Sequence, residues 1–344
     1  MPKYLILVVL TIGVCHGRAQ GEEPALCEQR RPEAWAEELE KASVLGQESE
    51  ARLGALALRQ YDTLPPEVLK SIAHSLQLEM AHTSTAASIW PAAEVLVERG
   101  EEGVLALLVG LEPALARLLV NVEELGVTID VKSESVLQYL AGRLPQGSSA
   151  LLARTLGSPK ASDGQRAAAA ALLALDPRQP RDAAVLAMLE TLSDVGESTP
   201  LRAYCEAALS QTSSPTQLVL IGVRASDEGV LYRALLLSSL MKGMVIRPRT
   251  AASILRGLLA STNVPVRILA STLALRSHAL IEEATLVLIA ALGSETQENV
   301  VLAAKGLARC GATGAPALPG LRVLAGRSGE IALEARRAIA EIEA

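Results

Sequence analysis

Residues 264–276 read VPVRILASTLALR, and this segment decides the fold that we expect for the chain. It follows a polar turn at residues 261–263 and carries Pro265 in its first turn, where a helix tolerates proline. Apolar residues then recur at intervals of three or four, which places them on one helical face. These residues are Val266, Leu269, Ala270, Leu273 and Ala274. The segments 250–260, 282–292 and 298–310 follow the same plan, so the sequence predicts a series of amphipathic helices.

Small residues recur along the second half of the chain at intervals of thirty-odd positions. If the second helices of successive predicted pairs are aligned, the position three past each start is occupied by Ala169, Cys205, Ala234, Ala270, Ala304 and Ala335. The intervals are 36, 29, 36, 34 and 31 residues. Such recurrence indicates a helical repeat array, in which each helix pair buries its apolar face only against its neighbours. The last predicted helix, residues 330–344, is polar, as expected of a cap.

The composition favours helices over strands. Half of the 344 residues are apolar, yet only 2% are aromatic and there is no Phe. Ala and Leu, which supply most of the apolar residues, are strong helix formers, whereas strands favour β-branched and aromatic side chains. The sequence therefore predicts an all-α protein.

Three segments of the array carry a family resemblance: VPVRILASTLAL (264–275), ENVVLAAKGLARCG (298–311) and GAPALPGLRVLAG (314–326). They resemble HEAT repeats of the short bacterial type that is also found in phycobilisome-lyase-like proteins. The matching residues are Pro316, Leu318, Leu321 and Leu324 in an outer helix and Val266, Arg267 and Ala270 in an inner helix. The resemblance is specific over about residues 163–344, although Leu231, Val301 and Ala332 stand where the pattern has Arg. It implies a HEAT/armadillo-like α–α superhelix of antiparallel helix pairs whose inner helices line a concave binding face, and it implies no chemistry.

The first nineteen residues have the pattern of a signal peptide. Lys3 precedes the apolar run 4–14, and Gly17 and Ala19 supply a small-residue cleavage site. The run is shorter than the roughly 20 residues that span a bilayer. The sequence predicts export to the periplasm or the exterior, and lipoprotein anchoring at Cys15 is disfavoured because Val14 stands where that processing needs a small residue.

After residues 1–19, we expect divergent helical repeats over 20–130 and a regular HEAT-like array over 131–344, with a hinge near 157–164. Residues 20–130 hold 20 acidic and 8 basic residues, and residues 131–344 hold 18 acidic and 22 basic residues. This asymmetry could orient a partner or favour head-to-tail contact. Cys205 and Cys310 are expected to be core residues, and Cys27 is the candidate for a free thiol.

Two patterns suggest chemistry and are outweighed by structural explanations. Ser239 and Lys242 match the S-x-x-K of serine acyl-transfer enzymes, but the companion motifs S-D-N and K-T-G are absent. His74 and His82 lie eight residues apart, about 12 Å along a helix at a rise of ~1.5 Å per residue, which is too far for one zinc ion. We therefore expect no catalytic residue, no metal and no cofactor.

A set of basic residues forms the candidate partner-binding site. Arg166, Arg202 and Arg267 share one register in the predicted inner helices, and Arg233 lies close to it. Lys242, Arg247, Arg249 and Arg256 would strengthen the set. These side chains could form a stripe that binds anionic groups, or they could bond acids or helix ends next door, with Asp163 and Asp227 as candidate acids.

The function that we expect is that of an exported, non-catalytic scaffold that binds a protein partner on its concave helical face. A lyase-like enzyme or ligand carrier is one alternative and would need a pocket with convergent polar groups. A cell-envelope or polysaccharide-associated protein is the other, although such binding favours exposed aromatic side chains, which are scarce here. We expect no nucleic-acid binding and no membrane span, and the oligomeric state stays open.

Overall fold

A computed structural model describes residues 30–82, 91–125, 135–176, 181–194, 196–241 and 246–344. Within these ranges the secondary structure is helical and contains no strand. The prediction of an all-α chain is therefore confirmed for the described part. The predicted signal peptide, the predicted boundary at 130/131, Cys27 and Lys242 lie outside it.

The chain divides into two compact units, and each is considered by itself. Unit 1 contains Met1–Arg117 and Glu134–Leu151, and unit 2 contains Leu118–Ser133 and Leu152–Ala344. The helices that lie in unit 1 are α1 (Pro32–Val44), α2 (Glu48–Leu58), α3 (Pro66–His82), α4 (Pro91–Val97), the first part of α5 (Gly100–Leu125) and α6 (Ser135–Ala141). Helix α7 (Ser148–Leu156) crosses the division.

Unit 2 continues along the chain with a series of helices that could form antiparallel pairs. Its helices are α8 (Asp163–Leu175), α9 (Arg181–Ser193), α10 (Thr199–Thr212), α11 (Pro215–Ala225), α12 (Glu228–Leu240), α13 (Pro248–Leu259), α14 (Val264–Arg276), α15 (Ile281–Leu292), α16 (Gln297–Cys310), α17 (Leu318–Ala325) and α18 (Glu330–Glu343). A 3₁₀ turn, Gly311–Ala317, joins α16 to α17. Helix α14 has the bounds that its sequence predicts.

Polar caps explain where several of these helices begin. The side chain of Asn263 accepts a hydrogen bond from the backbone N–H of Val266 at 3.0 Å, which satisfies a donor that has no partner inside α14. Ser162 caps α8 in the same way. Asp227 does so for α12.

Helices of unit 2 contact each other in alternation. Besides its neighbour along the chain, each of α8, α10, α12, α14 and α16 contacts the next member of that same series, which ends at α18. We call these six helices the small-residue row. Helices α9, α11, α13, α15 and α17 contact one another in the same sequential manner, and α9 additionally contacts α12. This is the contact pattern that stacked helix pairs produce.

The recurring small residues are fully buried in the row. Ala169, Cys205, Ala234, Ala270, Ala304 and Ala335 all have 0% of their surface exposed. The register read from the sequence therefore marks the buried side of each row helix. Gly306 lies in the same contact, because a methyl group added to it would come within 2.3 Å of the Thr272 hydroxyl oxygen.

Helix α14 is not amphipathic, and this expectation was wrong. Every residue from Ile268 to Leu275 is buried. The reason is that α14 contacts four helices, α12, α13, α15 and α16, so no side of its middle turns faces solvent. Solvent-exposed side chains therefore do not form a continuous strip along the row, because the middle turns of α14 interrupt it.

Helix α5 continues without a break past a proline. Pro113 lies inside it and has no N–H to donate to the carbonyl of Val109. The side-chain amide of Gln77 donates to that carbonyl instead, at 3.0 Å. An external donor thus satisfies the group that proline leaves open, and the helix continues through it.

One segment of the described chain, Gly100–Val120 in α5, is long and apolar enough to cross a membrane by length and composition alone. Within unit 1 its side chains Val104 and Leu107 are buried, whereas Leu105 and Val109 are exposed. Gly110 of this helix approaches α3 closely, because an added methyl group would lie 2.6 Å from a Leu76 methyl carbon.

Candidate functional site

Arg166, the first of the predicted binding residues, is buried and engaged within unit 2. Its Nη1 donates to Glu197 Oε1 at 2.6 Å, Nη2 bonds the second oxygen of the same carboxylate, and Nε donates to the carbonyl of Leu156 at 2.6 Å. Asp163 lies 3.9 Å away. Asp227, the other acid suggested by the sequence, caps α12 instead. A guanidinium held by a carboxylate and a helix-end carbonyl has a structural role.

The remaining predicted arginines are dispersed over several helices. Arg202 on α10 and Arg233 on α12 are half-buried, and Arg233 lies 5.7 Å from the centre of the Tyr232 ring. Arg247 and Arg249 are exposed at the start of α13. The structure therefore does not bring the predicted set together at one point.

Arg267 lies on the side of α14 that faces helices α13 and α15. Its Nη1 donates to the carbonyl of Ser261 at 2.8 Å, just after the end of α13. It also lines a cavity of about 550 Å³ whose other walls are mostly apolar, with Val264, Leu286 and Ala290 among them. This position fits a helix-end contact better than membership of a charged stripe.

Residues weighed for chemistry have ordinary local partners. The buried hydroxyl of Ser239 donates to the carbonyl of Leu236 at 2.7 Å. His74 is exposed, and its Nε2 lies 3.8 Å from a Glu40 carboxylate oxygen. Among the residues that the structure describes, no group of three or more His, Cys, Asp or Glu side chains is placed to hold a metal ion.

Cys205 is a core residue, as predicted, whereas Cys310 is partly buried and packs against the core. Cys205 is fully buried, and burial raises the pKa of its thiol to about 12. The Cys310 thiol lies 3.1 Å from the carbonyl oxygen of Gly306, and burial likewise raises its pKa to about 12. Thiols with such pKa values are protonated at neutral pH and are poor nucleophiles.

A cavity that the sequence does not predict lies at the C-terminal ends of three row helices. It has a volume of about 590 Å³ and combines ends of α12, α14 and α16 with the middle of α18. Its lining residues are Ser239, Leu240, Arg276, Lys305, Ala308, Arg309, Gly311, Glu334, Arg337 and Glu341. We call it the basic cavity, because four basic and two acidic side chains line it.

Arg276 forms one wall of the basic cavity and also closes a helix end. Its Nη1 donates to the carbonyl of Ser239 at 2.7 Å, and its Nη2 donates to the carbonyl of Met241 at 2.8 Å. Those carbonyls belong to the last turn of α12, which leaves its final carbonyls without helical partners. Arg276 therefore fixes α12 against α14 and brings a positive charge to the cavity.

Arg309 and Arg337 differ from Arg276 because both are exposed and neither forms an ion pair with a described residue. The pKa of Arg309 is lowered, first by partial removal from water and then by the positive charges of Arg276 and Arg337. The three guanidinium groups are thus close enough to repel one another. Two of them retain their hydrogen-bond donors for a ligand.

The acidic side chains of the basic cavity are unequal. Glu334 is buried, and its Oε1 lies 3.8 Å from Lys305 Nζ. Lys305 also lies 3.2 Å from Glu330. Glu341 is exposed and forms no ion pair among the described residues. Lys305 is therefore paired with two carboxylates, whereas Arg309 feels the charge of Glu334 without forming an ion pair and Arg337 forms no ion pair with a described residue.

Comparison with family models and with curated proteins identifies no relative of this chain. No family model matches the chain, and no curated protein matches it. The candidate site is therefore described from the side chains of unit 2 alone, and the basic cavity is its charged concave surface.

Proposed function

We propose that the chain is an exported, non-catalytic scaffold of HEAT-like helix pairs that binds a protein partner through unit 2. The alternating helix contacts support this proposal, because each pair buries its apolar residues against the next pair, as in a solenoid. In such an α–α superhelix the exposed side chains of the small-residue row would line the concave surface.

The observation that carries the proposal is a set of row arginines that form no ion pair with the described residues and retain solvent access. Its members are Arg202, Arg233, Arg309 and Arg337. A free guanidinium binds a carboxylate through two parallel hydrogen bonds, which gives both affinity and orientation. The row therefore offers several contacts to an acidic protein surface.

Affinity capture from the cell envelope, followed by quantitative mass spectrometry, tests the scaffold. We expect the double substitution Arg202→Glu with Arg233→Glu to reduce recovery of the partner by about tenfold or more, since two charge-assisted contacts become repulsive. The matched control is Lys160→Glu with Arg327→Glu, which changes the charge equally at exposed positions outside the row. Equal recovery with both variants would contradict the proposal.

Export is part of the proposal and has its own test. Fractionated cells should contain a mature chain that begins near Gln20, in the periplasm or the medium. N-terminal sequencing of the purified protein measures this directly. A cytoplasmic chain that retains Met1 would contradict export.

A ligand carrier is the second candidate, and the volume of the basic cavity favours it. About 590 Å³ lies within the range of small-molecule pockets. A carrier would retain a small anion after gentle purification, and native mass spectrometry of the intact protein would detect the added mass. A scaffold would give the mass of the chain alone and would recover a protein in the capture experiment.

A further inference from the structure

Resting on the proposed function, we infer that the basic cavity binds an acidic segment of the partner protein, with Arg309 and Arg337 each holding one carboxylate. The cavity lies within unit 2, and both guanidinium groups are exposed in its wall. The inference names the chemistry of the partner, which the scaffold proposal leaves open.

Structural roles do not account for these two arginines. Arg276 donates to the last carbonyls of α12, and Arg336, on the same helix as Arg337, donates to the carbonyl of Ala325 at 3.1 Å. Lys305 is paired with Glu330. Arg309 and Arg337 make no such bond with the described residues, although they stand beside these engaged neighbours.

An anion would relieve the repulsion inside the cavity. Arg276, Arg309 and Arg337 share the space at the helix ends, and the two neighbouring charges disfavour a third one on Arg309. The C-terminal ends of α14 and α16 carry partial negative charge, which offsets only part of this repulsion. Glu334 offsets a further part of it at Arg309, and one carboxylate bound at each of Arg309 and Arg337 would neutralise the remainder.

The other lining residues favour a peptide over a polyanion such as nucleic acid. Glu341 is exposed at the same wall, so a ligand with a continuous row of phosphates would meet a like charge. Leu240 is 46% exposed and offers an apolar contact beside the charges. A peptide that combines carboxylates with an apolar side chain can contact the two arginines and Leu240. It also brings fewer like charges to Glu341 than a phosphate polymer does.

A fluorescein-labelled peptide of sequence Glu-Glu-Leu-Glu-Glu, titrated with the full-length mature protein, tests the inference by fluorescence anisotropy. We expect binding by the wild type and a rise in Kd of about tenfold or more for Arg309→Glu with Arg337→Glu, because two charge-assisted contacts are lost. Glu341→Gln should lower Kd, since it removes a like charge. The peptide Gln-Gln-Leu-Gln-Gln should not bind.

The control variant Lys160→Glu with Arg327→Glu should bind as the wild type does. Equal weakening by both double variants would show a response to net charge and would overturn the inference. Displacement of the peptide by single-stranded DNA at an equal charge concentration would also overturn it, since the cavity would then favour a phosphate polymer. Circular dichroism melts establish that the variants are folded. If the variant with Arg309→Glu and Arg337→Glu is not folded, the variant with Arg309→Gln and Arg337→Gln replaces it.

The outcome is separable from that of the scaffold proposal. If capture of a partner depends on Arg202 and Arg233 but the acidic peptide does not bind, the cavity inference fails and the scaffold stands. If the peptide binds at Arg309 and Arg337 but no protein is captured, the scaffold fails and the cavity is an anion site of another kind.

Discussion

At the scale of single residues, two groups of arginines differ in what their guanidinium groups contact. One group donates to carbonyls at or just beyond the ends of neighbouring helices, and its members are Arg99, Arg166, Arg267, Arg276 and Arg336. The other group forms no ion pair with the described residues, and Arg202, Arg309 and Arg337 belong to it. The first group holds helices together, and the second is available to a partner.

Arg166 is expected to be essential for stability. Its pair with Glu197 is buried on both sides, with 10% and 6% of the two side chains exposed. Arg166→Met leaves a buried carboxylate without its counter-charge, so we expect a loss of about 3–5 kcal/mol in the free energy of unfolding. Urea denaturation followed by circular dichroism measures it.

The control for this prediction is Arg202→Met, since Arg202 has no ion-pair partner among the described residues. That change should shift the free energy of unfolding by no more than about 0.5 kcal/mol. Similar losses for both variants would mean that the Arg166–Glu197 pair has no special role.

Glu79 should make the stability of the protein depend on pH. It is buried in unit 1, where its carboxylate accepts hydrogen bonds from Ser43 and the Ala92 N–H, and burial raises its pKa from 4.5 to about 8. Because the folded-state pKa is the higher one, the stabilising contribution is fully present below pH 4.5 and is lost as pH rises through about 8.

The expected loss between those pH values is on the order of 4 kcal/mol, and Glu79→Gln should remove it. Urea denaturation of both proteins at pH 5 and pH 8.5 measures the difference. The same dependence on pH in the wild type and the variant would show that Glu79 does not titrate in this range.

At the scale of elements, the packing of α14 against α16 depends on Gly306. A methyl group there would come within 2.3 Å of the Thr272 hydroxyl oxygen, so Gly306→Ala should destabilise the protein by about 1–3 kcal/mol. Gly257 has no atom within 4 Å of the same added group, so Gly257→Ala should stabilise α13 by about 0.5–1 kcal/mol. Thermal melts measure both changes.

Adding Thr272→Ala to Gly306→Ala should restore part of the lost stability, because it removes the atom in conflict. A shift of the same sign for the two glycine substitutions would contradict the close approach of α14 and α16.

The sequence predicts where many of the helices pack against each other, because close helix contacts require small residues. Ala270 and Ala304 recur for that reason, and both are fully buried. The continuity of α5 is different, since the donor that compensates for Pro113 is Gln77 on another helix. The burial of α14 on all sides also depends on contacts with other helices, and the local sequence pattern does not reveal these contacts.

At the scale of the whole molecule, the basic cavity could not be read from the repeat register. Arg276, Arg309 and Arg337 lie six, five and two positions after the small residues of their helices. They share a cavity because of how α14, α16 and α18 are offset against one another, which periodicity does not specify. The predicted stripe, by contrast, includes Arg166, whose register position puts it into a buried ion pair.

The unpaired arginines connect the architecture to the proposed function. Alternate contacts along the small-residue row bring helices that are about thirty residues apart in sequence side by side. Charges at the C-terminal ends of α14 and α16 and in the middle of α18 therefore accumulate at one place, although they are far apart in sequence. This accumulation is the property on which the proposed binding of an acidic partner depends.

Hydrogen–deuterium exchange of the full mature protein, with and without the peptide Glu-Glu-Leu-Glu-Glu, tests this connection most directly. The predicted result is slower amide exchange confined to residues 237–241, 273–278, 305–311 and 334–341, the segments that line the basic cavity. It should disappear in the variant with Arg309→Glu and Arg337→Glu. Slower exchange in other segments, with no change at the basic cavity, would contradict the account.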